Sequence, residues 1–201
     1  MTSFGKPHIA VKGVARKDGI PILEKPGEIA VSFFNGEGPN SILQNLVIRC
    51  SDFAVFLVGS SPTLNHLTIV DNQSGIGAYE GADPVIINSI FWQNTFGDLF
   101  QTQAHYSCLG QADDNPTNIC TAPLFVDPAQ GDYHLLSSRG RHWIVHDVWV
   151  LDGQTNPCID AGDPMEEFTQ EPLPNGSRVN MGAYGGTPRA SMSETPKEGV
   201  L

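Results

Sequence analysis

The feature that most constrains the fold is a repeat of short β-type segments in the first half of the chain. The segments "LQNLVIRC" (43–50), "LNHLTIVDN" (64–72) and "INSIFWQN" (87–94) align, and they start 21 and 23 residues apart. Each is rich in β-branched residues and alternates in polarity, which is typical of a strand with one buried face. A lone strand cannot bury that face, so the repeat predicts that successive copies stack on one another.

A second set of short segments follows the first at nearly the same spacing. Its members are "AVFLVG" (54–59), "GIGAYE" (75–80) and "DLFQTQ" (98–103). Helical repeats would show apolar residues at helical spacing, and leucine-rich repeats would show a fixed Leu and Asn pattern, but neither pattern occurs here. We therefore predict an all-β fold, a parallel β-helix (β-solenoid) with about 22 residues per coil and roughly six or seven coils.

Shorter apolar segments on either side extend the predicted solenoid. Earlier coils are predicted from residues 8–13, 20–24 and 28–36, and later, less regular ones from residues 105–110, 123–127 and 132–136. We accordingly divide the chain into coils (1–136), an irregular C-terminal closing segment (137–190) and a disordered tail (191–201). Because the first strand begins close to residue 8, the open N-terminal end of the solenoid is expected to favour self-association or contact with a partner.

Charge limits the classes of partner. The chain has 22 acidic and 11 basic residues and a net charge of -11, which argues against nucleic acid and against an anionic membrane surface. Neutral polysaccharide, a cationic partner and calcium remain compatible. No apolar run reaches the ~18 residues of a membrane-spanning helix. The first 13 residues lack the apolar stretch of a signal peptide, so we expect a cytoplasmic protein or a fragment of a larger exported one.

The four cysteines, Cys50, Cys108, Cys120 and Cys158, form no CxxC pair, so a zinc ribbon or a thioredoxin-type motif is not expected. Cys108 and Cys120 bracket a polar loop. They could form a disulfide there, or all four cysteines could be small buried apolar side chains.

The closing part of the sequence carries a family resemblance. Its blocks are "APLFVDPAQGDYHLLSSRGR", "NPCIDAGDP" and "PNGSRVNMGAYGGTP", in that order. With the earlier "SPTL…LTIVDN" stretch, the chain resembles the C-terminal part of secreted bacterial right-handed parallel β-helix repeat proteins of the pectin-lyase-like superfold, over roughly residues 5–190. The resemblance implies a right-handed solenoid and a secreted or cell-surface location. This chain departs from the family in having neither an export signal nor an N-terminal cap, and the fold alone does not define a reaction.

The predicted binding surface is the outer face of the main strands. Aligning Leu67 with Ile90, and Ile69 with Trp92, places those four side chains inside. The outer face would then carry Asn45, Val47, Arg49, His66, Thr68, Val70, Ser89, Phe91 and Gln93. The ligand-binding residues expected on it are Arg49, His66, Phe91 and Gln93.

These residues suggest sugar binding better than catalysis. Arg49 could grip a carboxylate sugar through its planar fork, and Phe91 could stack on a sugar ring, although a plain surface role is the alternative for each. Enzymes that the chain resembles place several carboxylates on this face, and glycoside hydrolysis needs two. The predicted face has none, so we expect no catalytic residue. Asp113 and Asp114 in an acidic loop could bind calcium, or could simply be solvated. No other cofactor is expected.

The sequence thus favours a non-catalytic extracellular β-solenoid that binds polysaccharide or builds a cell-surface structure. The alternative is a carbohydrate-active enzyme of pectin-lyase-like fold, a polysaccharide lyase or a glycoside hydrolase. A third interpretation, a gene fragment without its own function, would be contradicted by a cooperative unfolding transition.

Overall fold

The computed structural model describes residues 8–16 and 18–194, and it confirms the predicted all-β solenoid. Strands of successive turns pair in parallel in two sheets, with about 22 residues between equivalent positions. The solenoid has about four turns, because four strands stack in the second sheet, so the expectation of six or seven coils is wrong.

The strands are short, and the only helix in the described ranges is a 3-10 turn, Pro128–Gln130. The strands are β1 (Ala10–Lys12), β2 (Ile22–Glu24), β3 (Ile29–Phe33), β4 (Ile42–Arg49), β5 (Phe53–Val58), β6 (Thr63–Val70), β7 (Ser74–Tyr79), β8 (Val85–Ile87), β9 (Ile90–Trp92), β10 (Leu99–Phe100), β11 (Phe125–Asp127), β12 (Asp132–Leu135), β13 (Arg141–Trp143) and β14 (Val148–Val150). Within the described residues, no helix has the length and apolar character of a membrane-spanning segment.

The first sheet contains the main repeat. Strands β4 and β6 pair in parallel, with Leu46 beside Leu67 and Ile48 beside Ile69, as the sequence alignment predicts. Strands β1 and β2 both pair with β4, so the segments 8–13 and 20–24 belong to one coil and not to two. The second sheet runs β3, β5, β7, β10. In the described part of the chain, β1 and β3 have a partner on one side only, and association through that open end stays a prediction.

Each rung of the first sheet contains one residue with left-handed backbone. Asn45, His66 and Asn88 have φ angles of 54°, 49° and 51°, and the strand register stacks them on one another. A left-handed residue interrupts the alternation of a strand. Leu43 and Leu46, three residues apart on either side of this point, therefore both reach the core.

The predicted alignment of the third segment is wrong by one residue along its whole length, since Leu64 pairs with Ile86 and not with Ile87. Ile69 pairs with Phe91, and Thr68 pairs with Ile90, one residue away from the predicted register. Ser89 takes the inward position that was assigned to Ile90, and its hydroxyl accepts a hydrogen bond from the backbone N–H of Leu67 at 3.1 Å. A slip of one residue exchanges the two faces of a strand, so Phe91 is fully buried in the core instead of exposed.

The apolar core lies between the two sheets. Its larger buried members are Phe33, Leu43, Leu46, Ile48, Val55, Leu57, Leu64, Leu67, Ile69, Ile76, Ile86, Phe91 and Leu109. They come from every described turn, so each turn depends on its neighbours for burial.

A column of polar side chains lines the corner where the chain leaves the first sheet. Asn72 is 1% exposed; its amide donates to the carbonyls of Ile48 and Val70, both at 3.0 Å. Its oxygen accepts from the N–H of Ser51 at 3.1 Å, and its own N–H donates to the side chain of Asn94 at 3.2 Å. The corner's buried backbone groups are thus satisfied by the turn above or below.

The chain after residue 104 leaves the regular repeat. His105 and Cys108 add single parallel bridges below Ile87 and Ile90, which form a partial fifth rung. Strands β11 and β12 form an antiparallel hairpin, not the later coils predicted there, and β13 and β14 form a second one. The predicted division of the chain between residues 136 and 137 stays a prediction.

Residues 156–194, the C-terminal cover, pack on the outer face of the first sheet. Ala183 and Tyr184 cluster with Val47 and Val70, while Met181 clusters with other strand residues nearby. Residues 191–194, which were expected in a disordered tail, are part of this cover: the hydroxyl of Ser191 donates to the carbonyl of Leu135, and the residue is buried. Residues 195–201 lie outside the described residues.

The cysteines are all free in this structure. Cys108 and Cys158 are fully buried in one cluster, and a hydrogen bond between the two thiols raises the pKa of Cys158. Cys108 and Cys120 are both free thiols, so the structure does not support the Cys108–Cys120 disulfide considered from the sequence.

Replacing Asn72 by Ala should destabilise the solenoid strongly. The substitution leaves the buried N–H of Ser51 and two carbonyls without their partner, so we expect a loss of about 3 kcal/mol in the free energy of unfolding, measured by urea denaturation. Asn40→Ala, at an exposed position, is the control and should change it by less than about 0.5 kcal/mol. Equal effects of the two substitutions would contradict a structural role for the column.

Candidate functional site

The surface expected to bind a ligand is covered. His66, predicted to be exposed, is 0% exposed and lies against the glycines of the C-terminal cover. A methyl group added at Gly185 would come within 2.5 Å of His66 Nδ1, so glycine is required for this close approach. The expectation of an open outer face is wrong, because residues far away in the sequence pack on it.

Arg49 has a structural role in this arrangement. Its Nη1 donates to the Tyr133 hydroxyl at 3.0 Å and to the carbonyl of Pro128 at 2.8 Å, and its Nε forms an ion pair with Glu24. The hydrogen bond to Tyr133 is the main cause that raises the pKa of Arg49. Arg49 therefore fastens the β11–β12 hairpin to the solenoid, and its side chain is only 21% exposed.

Gln93 is exposed in a left-handed conformation, with φ of 57°. It borders a cavity of about 390 Å³ together with Trp92, Phe125 and Tyr133. Of the four predicted ligand residues, two are buried and one holds a hairpin, so the structure does not assemble them into one exposed binding surface.

A network of hydrogen bonds attaches the cover to the first sheet. The Glu166 carboxylate accepts from the amides of Asn65, at 3.0 Å, and Asn88, at 2.9 Å, and lies 3.4 Å from His66 Nε2. These contacts lower the pKa of Glu166, and the contact with His66 has the largest effect. A carboxylate held by several donors is a weak base, so this group attaches the cover rather than offering a catalytic acid or base.

Glu171 lies deeper in the same cover and is 4% exposed. One carboxyl oxygen accepts from the N–H groups of Asn180, at 2.9 Å, and Gly186, at 2.8 Å, while the other is buried without a partner. Burial, reinforced by the nearby charge of Asp160, raises the pKa of Glu171 to about 7.

The exposed side of the second sheet carries the most distinctive surface of the protein. Phe56, Gly77 and Phe100 occupy one register position on successive strands, with Ser32 at the same position on the first. Since the neighbouring Val55 and Leu57 point into the core, this register position faces outward. We call the ring surface around it the aromatic face; it consists of Phe34, Phe53, Phe56, Tyr79 and Phe100.

The rings of the aromatic face touch one another. The ring centroid of Phe56 lies 5.0 Å from Tyr79, 5.3 Å from Phe53 and 6.1 Å from Phe34, and Phe53 lies 5.8 Å from Phe100. Gly77 leaves room between them, because a methyl group there would come within 2.8 Å of the Tyr79 ring. The five rings are partly or largely exposed, so apolar ring area is presented to solvent across several turns.

A groove runs beside the aromatic face, along the solenoid axis. It consists of two depressions of about 670 and 650 Å³ that share Phe96 in their linings, a residue that is 68% exposed. We call their union the axial groove. The first depression is lined by Lys25, Gly27, Glu28, Ile29, Ser32, Asp52, Phe53, Gln73, Ser74 and Phe96. The second continues along residues 97–100, 102–103, 105, 109 and 111–116.

Backbone hydrogen bonds establish the direction of this groove. The N–H of Asp52 donates to the carbonyl of Glu28 at 2.9 Å, the N–H of Gln73 to that of Ser51, and the N–H of Phe96 to that of Gln73 at 2.7 Å. The first depression thus crosses four successive turns, which corresponds to about 14 Å along the axis at ~4.8 Å per turn.

Asp113 and Asp114, the predicted calcium ligands, lie on the second depression. One Asp113 oxygen accepts from the N–H of Asn115 and the other from the amide of Asn118, so its carboxylate shapes the loop. Among the described residues, no group of three or more His, Cys, Asp or Glu side chains is arranged to hold a metal ion. Calcium binding stays a prediction.

The candidate residues on the main strands do not include the aromatic face, which lies on the second set of segments. A signal exists there, because Phe56 and Phe100 occupy equivalent positions two turns apart and Tyr79 lies on the strand between them. Rings at outward positions of stacked strands would have indicated a continuous surface.

Comparison with known proteins supports a repeat protein of this kind. Residues 63–162 match the protein family described as "Disaggregatase related". The matched segment runs from β6 into the C-terminal cover and includes Tyr79 and Phe100. No curated protein and no solved structure matches the chain. The finer resemblance to the pectin-lyase-like superfold stays a prediction.

The buried Glu171 should make stability depend on pH. Because its pKa rises from its ordinary 4.5 to about 7 on folding, the folded state binds more protons between these values, and stability falls as the pH rises through them. Glu171→Gln should remove this part of the slope, a difference of roughly 3 kcal/mol by pH 8, seen in urea titrations at pH 4 to 8. Glu167→Gln, at an exposed neighbour, is the control. Parallel stability curves for wild type and Glu171→Gln would contradict the assignment.

Proposed function

We propose that this chain is a non-catalytic β-solenoid module that binds polysaccharide on its aromatic face. The observation that carries the proposal is the continuous surface of five contacting rings, beside a groove that crosses successive turns. Pyranose rings have apolar faces that stack on aromatic rings, and their hydroxyl groups need polar partners at the edge.

The groove supplies those polar partners. Gln73 donates to Asp52 at 2.7 Å beside Phe53, and Ser32 and Ser74 line the same depression. Amide, hydroxyl and carboxylate groups at the margin of an aromatic surface can orient a sugar through its hydroxyl groups. An extended polymer suits this surface because the rings and the groove span several successive turns.

The family match adds support of a different kind. The description of the family links its members to a disaggregatase, which is by its name an activity that takes aggregates apart. A module that holds the polymer surrounding a cell or an aggregate would fit beside such an activity. We accordingly place the protein at a cell surface or outside the cell as part of this proposal.

The non-catalytic part of the proposal is supported by two of the groove carboxylates, Glu28 and Asp98, which have partners within the protein. Glu28 pairs with Lys25 at 3.0 Å, and Asp98 accepts from Asn94 and from the N–H of Gly110. Glycoside hydrolysis needs one carboxyl group as a proton donor and a second at a defined separation. Shortening of a bound polymer is the outcome that would favour the alternative, a carbohydrate-active enzyme.

Removing rings from the aromatic face should weaken polysaccharide binding. We expect Phe53→Ala and Phe34→Ala each to lower affinity by about two- to tenfold, since an aromatic contact contributes roughly 0.5–1.5 kcal/mol beyond its buried area. Affinity electrophoresis in gels that contain neutral or charged polysaccharides measures the effect, and size analysis of the polymer reports cleavage. Phe34 is 53% exposed, so its removal should leave the fold intact.

Trp143→Ala is the matched control, because Trp143 is 38% exposed on the β13–β14 hairpin, which is not part of the aromatic face. Retention of wild-type binding by both Phe variants would place the polysaccharide site elsewhere.

A further inference from the structure

We infer that the ligand of the axial groove is a polysaccharide with amino groups, such as a glucosamine polymer, lying parallel to the solenoid axis. This inference rests on the proposed function and narrows its substrate class. It follows from two features of the groove, its direction across the turns and the sign of the charges that line it.

The direction comes from the depressions themselves. Glu28, Asp52, Gln73 and Phe96 follow one another along the axis through backbone hydrogen bonds, and the second depression continues beyond Phe96. A ligand that lay across the axis would contact one turn. A ligand along the axis contacts four turns over about 14 Å and then reaches the second depression.

The charge of the lining is strongly negative. The charged side chains that line the two depressions are Lys25, Glu28, Asp52, Asp98, Asp113 and Asp114. Five carboxylates against one ammonium group give a formal charge of -4, with His105 neutral. Since Lys25 is paired with Glu28 at 3.0 Å, the other four acids have no cationic side chain within the lining.

This charge distribution selects among polysaccharides. A uronate polymer would bring further carboxylates into a negative groove in a chain whose net charge is already -11. Protonated amino groups on a sugar would instead meet opposite charges beside the rings, with Asp52 next to Phe53 and Asp98 close to Phe96. The rings would hold the sugar faces, and the carboxylates would distinguish the amino sugar from its acetylated form.

The test compares oligosaccharides of equal length by isothermal titration calorimetry on the full chain. The probes are tetramers of glucosamine, of N-acetylglucosamine and of galacturonic acid, at pH 6, in low and high salt. We expect the glucosamine tetramer to bind about tenfold more tightly than the acetylated one at low salt, and the difference to shrink when salt screens exposed charges. The galacturonate tetramer should bind weakest.

Length tests the direction. A ligand along the axis gains contacts with each added sugar, so the glucosamine tetramer should bind more tightly than the dimer by tenfold or more. A ligand across one turn would gain little, and equal affinities would overturn the axial arrangement.

Two matched double variants test the carboxylates. Asp52→Asn with Asp114→Asn removes two charges from the groove and should reduce the preference for glucosamine over its acetylated form by about fivefold. Asp83→Asn with Asp127→Asn removes two exposed charges outside the groove, changes the net charge equally and should leave the preference unchanged. Equal effects of both double variants would show that net charge, not the groove, selects the ligand.

The outcomes separate this inference from the proposed function. Equal binding of the glucosamine and N-acetylglucosamine tetramers, sensitive to Phe53→Ala, would overturn the amino-sugar inference and keep the polysaccharide-binding proposal. Tightest binding of galacturonate would also overturn the inference alone. Failure of all three tetramers to bind would overturn both.

Discussion

The structure depends on the exact stacking of one turn on the next, and buried polar contacts between turns maintain that stacking. Asn72 and Asn94 hold the backbone at one corner, while Ser89 holds the first sheet at its interruption. Apolar contacts alone would tolerate a slip of one residue, since Ile90 and Phe91 are both apolar. The hydrogen bond from the Leu67 N–H to the Ser89 hydroxyl can form in one register only. Polar groups therefore determine the alignment of the strands, and the apolar core stabilises it.

The solenoid has two outer faces with different roles. The C-terminal cover occupies the first, where Tyr184 packs with Val47 and Val70, and the Glu166 carboxylate bonds to Asn65 and Asn88. The second carries the aromatic face and the axial groove, which the described residues leave exposed. This division explains why Arg49 and His66 in the first sheet have structural roles, while the rings of the second sheet face solvent.

The sequence was sufficient to predict the fold class and the pairing of β4 with β6, because that information is contained in a local repeat. It was insufficient where two registers were equally apolar or where a distant segment packed on the strands. The outward assignment of Phe91 is wrong because the adjacent apolar residues Ile90 and Phe91 fit two registers that differ by one residue, and the structure adopts the one in which Ile69 pairs with Phe91. The predicted exposure of His66 is wrong because Gly185, more than a hundred residues later in the sequence, packs directly against it. The aromatic face could have been predicted from the sequence, since Phe56 and Phe100 occupy equivalent positions of the repeat.

Because the turns stack in parallel, the number of turns determines the length of the solenoid. Each added turn would bring its own core residues, its own corner amide and its own outward position in register with the previous turn. Duplication or loss of a single 22-residue unit would therefore lengthen or shorten the exposed outer face by one step, without redesign of the remaining turns. The affinity for a polymer proposed above could then change through the number of turns as well as through individual side chains.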